Sequence, residues 1–511
     1  MRSANKVVVN SVALYFNMLV TMGATLIGTR YLLKALGQTE YGIYVLVADI
    51  VAMFSFLNVS MAAATQRFLS YSIGEGKEDK LKEIFYNSVT IHIIIAMAII
   101  LIFLLFGVPA VKYWLDIPSE IRSDALFVLC CMAVSTFFVV VAVPYEGAMN
   151  AHEDIFVIAG INVFDALFKL SAAVTVYFIS GNKLIIYASL IMLSAVMLFL
   201  LKRNYCKRHY REVHFSWHRI NDFMLVKEMI SFAGWNLVGT GCSLLRYQGA
   251  AIVINKFFGL VYNAAYGVAQ QLNGFMLFFA NSLVRPMRPL IVKNEGAGLH
   301  DKMVILANTL SKITFLMLCV IIIPMYLNIS YILDIWLTDV PEGALYFCKG
   351  YMLVVLIGQI SSGIQIAFES TGKIKRLQIV VGTMHALPLP VACLLFYLGY
   401  PAYTIMLCIV IEEVLALFLR LLIAKRDAGI IPLDYLKNVV LPCVFCASIV
   451  YITILQLDSI IILHPIYKII IETFATMVMM ALSGYFICFT AWEKCKVHDL
   501  ISMAVKKIFF R

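Results

Sequence analysis

Several ionisable residues lie inside long apolar runs, where a charge needs a chemical reason to be kept. Arg246 sits in SLLRYQGAAIVI with no acidic residue within a turn. Its guanidinium offers a planar fork that can hold two phosphate oxygens at once. Asp165 and Lys169 are four residues apart in DALFK, so on a helix they share one face. Such a pair either neutralises itself or gives up one partner to a substrate phosphate or a proton. Asp49 lies between YVLVA and IVAMF with no cation close in sequence, which makes its carboxyl a candidate proton carrier. Arg30 closes the first apolar run, shortly before Lys34. A lone charge at mid-bilayer costs about 3 kcal/mol on insertion scales, so these positions read first as functional. Arg246, Arg30 and Lys169 are the expected substrate-binding cations, and Asp49 and Asp165 the expected ion-coupling carboxyls. Glu412 and Glu413 in IVIEEVLAL are adjacent and face different directions, so at least one is expected to meet Arg420 or a neighbouring helix. His92 and His385 read as interior histidines. No residue is singled out as catalytic.

Composition fixes the elements that must carry these groups. The 511 residues are 62% hydrophobic and only 14% charged, against about 25% charged in soluble domains. With a mean hydropathy of +0.90, the apolar surplus cannot be hidden in one globular core. Soluble, secreted and nucleic-acid-binding classes are excluded; the fold class is an all-α polytopic membrane protein. A bilayer core needs about 20 apolar residues per helix. On that template spans fall near 7–29, 42–65, 84–107, 123–143, 155–179 and 183–201. They resume near 229–252, 262–284, 306–329, 346–368, 376–398 and 402–423, with a last pair near 437–457 and 465–490. That is fourteen helices. The runs are continuous rather than alternating with period two, which rejects a β-barrel.

Lys and Arg gather on the cytoplasmic side of a membrane. With the N-terminus inside, thirty of the forty fall in inside segments and nine in outside loops. Both termini are therefore expected in the cytoplasm, and the net charge of +10 is a topology signal. Twelve cysteines are scattered through the apolar runs, and the C-x-x-C of Cys443 and Cys446 reads as buried small side chains rather than a zinc or redox site. The longest connection, 202–222, is too short for a catalytic domain. Phosphate-loop, zinc-protease and nucleophile-elbow motifs are missing, so neither an enzyme nor a metal or organic cofactor is expected.

The chain also resembles itself. An offset of 222 aligns Lys34 with Lys256, Gly37 with Gly259, Tyr44 with Tyr266 and Trp114 with Trp336; one residue later in register, Glu146 meets Glu369. This predicts a six-helix bundle over 1–201, a basic linker over 202–228, and a second parallel bundle over 229–426. Two extra helices and a tail then occupy 427–511. Parallel repeats place a substrate path at their interface.

Four motifs carry a resemblance: LG-x-x-x-YG-x-Y at 36–44, RF-x-S at 67–70, W-L-D at 114–116, and FFG-x-x-x-NAAYGVA at 257–269. Together they resemble the Wzx-type polysaccharide (O-antigen) flippases of the MOP superfamily, relatives of the MATE exporters. The resemblance implies a bilobal core of twelve helices, here with two added. It implies a bacterial inner-membrane transporter that moves an undecaprenyl-pyrophosphate-linked oligosaccharide to the outer leaflet. Implied partners are that lipid-linked oligosaccharide, membrane lipids, a coupling proton or sodium ion, and polysaccharide polymerase machinery. Alternatives are a MATE-like exporter of cationic drugs, a flippase for the peptidoglycan lipid precursor, and, as an enzyme, a polytopic glycan polymerase or glycosyltransferase. The last would need a larger external loop than this sequence provides.

Overall fold

The computed structural model describes residues 2–52, 55–109, 111–112, 120–213, 223–337, 340–461, 463–495 and 498. Among these residues the secondary structure is helical throughout. The first helices are α1 (Arg2–Ala52), α2 (Ser55–Glu75), α3 (Glu78–Ile102), α4 (Arg122–Ala151), α5 (Ile155–Phe178) and α6 (Lys183–His209). The second series is α7 (Phe223–Gly296), α8 (His300–Trp336), α9 (Ala344–Ile360), α10 (Ser362–Thr371), α11 (Lys375–Ala386), α12 (Pro388–Tyr397) and α13 (Thr404–Asp427). Then come α14 (Pro432–Tyr435), α15 (Leu441–Ile460) and α16 (Pro465–Ser483).

Eleven of these stretches are long and apolar enough to cross a membrane, or twelve if the pair α9 and α10, bent by 45°, is one span. The expected fourteen is not reached, for two identifiable reasons. The span expected at 42–65 runs over residues outside the described set. The one expected at 402–423 is present as α13, but Glu412, Glu413 and Arg420 disqualify it on composition alone.

α1 and α7 each bend at a single glycine. Gly37 has φ 70° and ψ 178°, and Gly259 has φ 79° and ψ −168°. Only glycine adopts this region without strain, because a Cβ would clash with the backbone. These are the glycines that the 222-residue offset pairs, and they form the same corner. Lys34 and Lys256, just ahead of the corners, are both exposed, whereas Tyr266 is fully buried. Trp114 lies outside the described residues.

The chain divides into two compact units, one over Lys6–Leu237 and one over Val238–Arg511 together with Met1–Asn5. In the first unit α4 packs on α2, α3 and α6, around Leu32, Val128, Leu129, Ala173, Val176 and Leu184. In the second, Tyr266, Phe347, Tyr351, Met352 and Ile409 centre a core built from α7, α8, α9, α12 and α13. The last two long helices, α15 and α16, lie against α8. Two buried polar ties fasten them. The Asn328 amide donates to Glu472 at 2.6 Å, and Lys312 donates to both oxygens of Glu493 at 2.9 and 3.2 Å. Thr490 and Glu493 form a capping box, in which the Thr490 N–H donates to the Glu493 carboxylate at 2.7 Å.

Candidate functional site: a buried charge cluster in the second unit

α13 has two faces. Leu407, Ile411, Leu415, Phe418 and Leu422 recur at helical spacing and are exposed, as a lipid-facing stripe requires. The opposite face buries Ile409, Glu412, Glu413, Ala416 and Arg420. Carboxylates withdrawn from water in this way need cations, and the fold supplies them from other helices.

Arg246, on the first arm of α7, places Nη1 2.7 Å from Glu412 Oε2 and 2.8 Å from Glu413 Oε2. The second oxygen of Glu412 accepts from His385 Nδ1 on α11 at 2.9 Å. The second oxygen of Glu413 accepts from Arg420 Nη1 at 2.8 Å. Arg420 Nη1 also donates to Ser361 Oγ at 2.7 Å. Ser361 is the residue at which α9 gives way to α10, so the cluster abuts the break in a bent span. Breaks of this kind open helix termini toward bound ions and substrates in transporters.

Neighbouring groups hold Arg246 in place. Its Nη2 donates to the Tyr247 hydroxyl at 2.9 Å, and its guanidinium lies 4.8 Å from the Tyr247 ring centre. The Tyr247 carbonyl accepts from the Tyr266 hydroxyl and the Gln270 amide, each at 3.2 Å. Both donors come from the second arm of α7, so the corner at Gly259 folds the helix back to brace the residue beside Arg246. Gly249, one turn on, lets α12 approach: a Cβ there would stand 2.6 Å from Leu389.

With a neutral imidazole, two guanidiniums balance two carboxylates. Ligand atoms of His385, Glu412 and Glu413 lie within 4.8 Å of one another, as a metal site would require. All four carboxylate oxygens already bind Arg246, Arg420 or His385, however, and a divalent ion would have to displace a guanidinium.

Arg246, the first of the expected substrate-binding cations, is buried, at 5% exposed. Its acidic partners are 166 and 167 residues away in sequence, which no local window could show. Asp165 and Lys169 do pair, at 2.7 Å, and Ser194 Oγ donates to the other Asp165 oxygen at 2.6 Å. Lys169 remains 46% exposed. Arg30 is exposed on α1. Asp49 falls on α1, and its side chain lies outside the described part of the structure. His385 is interior and hydrogen-bonded as expected, and its bond to Glu412 also makes it a member of the charge network. Lys312 and Glu472 were missed, although each interrupts an apolar run; Glu472 also has Lys468 one turn before it.

A second site lies in the first unit. A cavity of about 600 Å³ opens among Lys77, Lys82, His152, Asp154, Tyr210 and Glu212, together with neighbouring residues. His152 Nε2 bonds Glu212 at 2.6 Å, and the His152 and Tyr210 rings stack at 4.2 Å. Burial pushes the Glu212 carboxyl up, but the His152 bond and a backbone N–H more than offset it, and the group sits below its ordinary value. Burial and the hydrogen bond to Asp154 raise the Tyr210 phenol.

Comparisons with known proteins converge. A family model described as MatE matches residues 13–175 and 246–394. A curated protein of Salmonella typhi, "Putative O-antigen transporter", is 21% identical over 354 residues, covering 67% of this chain and 77% of that protein. A MATE crystal structure in the bent conformation superposes with a TM-score of 0.72 at 13% identity, covering 84% of this chain and 96% of the other. An outward-facing multidrug resistance MATE transporter of the MOP superfamily gives 0.70 at 12% identity, covering 83% and 95%. A MOP superfamily transporter from Pyrococcus furiosus, described as having a binding pocket of reverse polarity, gives 0.66 at 12%, again covering 83% and 95%.

Proposed function

The chain belongs to the MatE family of membrane transporters, and on that premise we propose that it flips an undecaprenyl-pyrophosphate-linked oligosaccharide to the outer leaflet of a bacterial inner membrane. It is a multi-pass transporter and not an enzyme. The observation that carries the finer reading is Arg246, whose single guanidinium already holds two anionic groups at 2.7 and 2.8 Å. A diphosphate presents two such groups on one ligand, and arginine binds them with a geometry that lysine cannot reproduce. The O-antigen transporter named among the relatives supports the same substrate class. Both termini on the cytoplasmic side, and the division into bundles 1–201 and 229–426 with a linker at 202–228 and helices beyond 427, belong to this proposal. So do Arg30 and Lys169 as auxiliary cations, and Asp49 and Asp165 as carriers of the coupling ion.

The test is a flipping assay at matched amounts of folded protein. Arg246→Ala should abolish translocation and Arg246→Lys restore it only in part; full activity in the Ala variant refutes the assignment. Glu412 and Glu413 favour one second reading, a MATE-like exporter of organic cations, since buried carboxylates suit a cationic substrate. Deleting the chain separates the two. The flippase reading requires lipid-linked glycan to accumulate on the inner leaflet, and the exporter reading requires only increased sensitivity to cationic drugs.

A further inference from the structure

Both carboxylates sit on Arg246 Nη1, while its Nε has no hydrogen-bond partner among the described residues. Each oxygen of Glu412 and Glu413 is bonded to Arg246, Arg420 or His385, and the four permanent charges cancel. A diphosphate arriving at this cluster would find its positive charge already neutralised and would leave the buried site with a net negative charge, which is costly at low dielectric. Either a carboxylate must leave the guanidinium or a positive charge must be added.

We propose that Glu412 and Glu413 are a built-in counter-anion that neutralises Arg246 against a phosphate ligand, and that proton uptake by His385 releases it. This rests on the reading of Arg246 as a phosphate binder. The arginines are already protonated and each carboxylate oxygen already accepts a hydrogen bond from a cationic or imidazole N–H, so the imidazole is assigned as the proton acceptor. Its Nδ1–H donates to Glu412 Oε1, leaving Nε2 to take the proton. The His385 side chain is also 10% exposed against 4% for Glu412, so it meets the surroundings more than the carboxylate it holds. Glu412 contacts the imidazole and Glu413 lies close by on α13; Arg246 on α7 and Arg420 on α13 bind those carboxylates, Tyr247 binds Arg246, and Cys242 on α7 lies beside Gly382, one turn before His385. A charged imidazole makes the cluster singly positive and draws Glu412 toward itself, and an anion on Arg246 then restores neutrality. Proton and anion therefore bind cooperatively, and each raises the affinity for the other by the same factor.

The probe is inorganic pyrophosphate, and its affinity for the purified full chain in detergent is read by calorimetry at pH 8 and pH 6. Wild type should bind about tenfold tighter or more at pH 6. His385→Gln should lose the part of this dependence that does not come from the probe's own titration, which is common to both proteins. Glu412→Gln should bind tighter than wild type at pH 8, because the internal competitor has been weakened. Equal pH dependence in wild type and His385→Gln overturns the proposal, as does a folded Glu412→Gln that binds no tighter. If Glu412→Gln does not fold, the His385→Gln comparison decides alone. Arg246→Ala keeps the two layers apart: undiminished pyrophosphate binding there refutes the phosphate reading itself. Lost binding there, with a flat wild-type pH response, refutes only the release mechanism.

Discussion

Replacing Glu493 by leucine should destabilise the protein by about 3–5 kcal/mol, the usual cost of leaving one member of a buried ion pair alone. Lys312 is 1% exposed, and the Glu493 carboxylate is the one acceptor found for its ammonium among the described residues. The reverse change, Lys312→Met, is milder. Glu493 then still accepts from Thr309 Oγ1 at 2.7 Å and from the Thr490 N–H and hydroxyl, so about 1–3 kcal/mol is lost. Removing both charges in Lys312→Met/Glu493→Leu should cost only about 1 kcal/mol, chiefly the broken capping box. The double variant should therefore be at least about 3 kcal/mol more stable than the two singles imply. Thermal melting of the purified variants in one detergent measures this, and additivity of the two singles would refute the reasoning. The pH dependence gives an independent check. Burial pushes the Glu493 carboxyl up, but Lys312, the Thr490 N–H and Thr309 more than offset it and hold the group below its ordinary value. Its stabilisation is thus complete above the unfolded carboxyl value near ~4.3 and is lost as pH falls through the lower folded value. The gap between wild type and Glu493→Leu should narrow only in acid.

Three other outcomes are expected. Gly37→Ala and Gly259→Ala should each cost about 1–3 kcal/mol in melting experiments, although nothing lies within 4 Å of either added Cβ. Gly23→Ala, equally open but helical, should be neutral or stabilising; equal effects at all three would show that the corners carry no backbone strain. Reporter fusions near Arg208 and at Arg511 should report cytoplasm and one near Trp114 the exterior, and an external signal at Arg208 would break the parallel-bundle reading. Asp49→Asn and Asp165→Asn should lower transport and flatten its pH dependence while leaving folded protein in the membrane. An unchanged profile in both removes them as carriers.

What could be read from the sequence followed the range of the signal. Apolar run lengths showed most of the spans because each run is contiguous. The offset of 222 found two glycines with the same unusual backbone because only one residue type tolerates it. The span at 402–423 was placed as α13 despite its charges, but that Arg246 of α7 and Arg420 of α13 itself neutralise them could not be read from the run alone. The partners of Arg246 were invisible for the same reason: ion pairs closed across more than 160 residues leave no local pattern. Glu412 and Glu413 were expected to diverge, as adjacent helical residues do, and their side chains are long enough to converge on one guanidinium between them. Lys312 and Glu472 could have been found, because each interrupts an apolar run as plainly as Arg246 does.

The glycine corners also have a mechanical consequence. At Gly259 the chain reverses with one residue outside helical geometry, so the arms Phe223–Gly259 and Val261–Gly296 are joined without slack. An arm of that length reaches about 55 Å, and a swing of about 10° at the joint would carry its far end about 10 Å. A longer loop would absorb such a swing. A one-residue joint confines the freedom to a single pair of torsions and passes the rest of the motion on to the neighbouring arm. A helix arm hinged in this way is a lever on the arm that follows it, with glycine as its fulcrum.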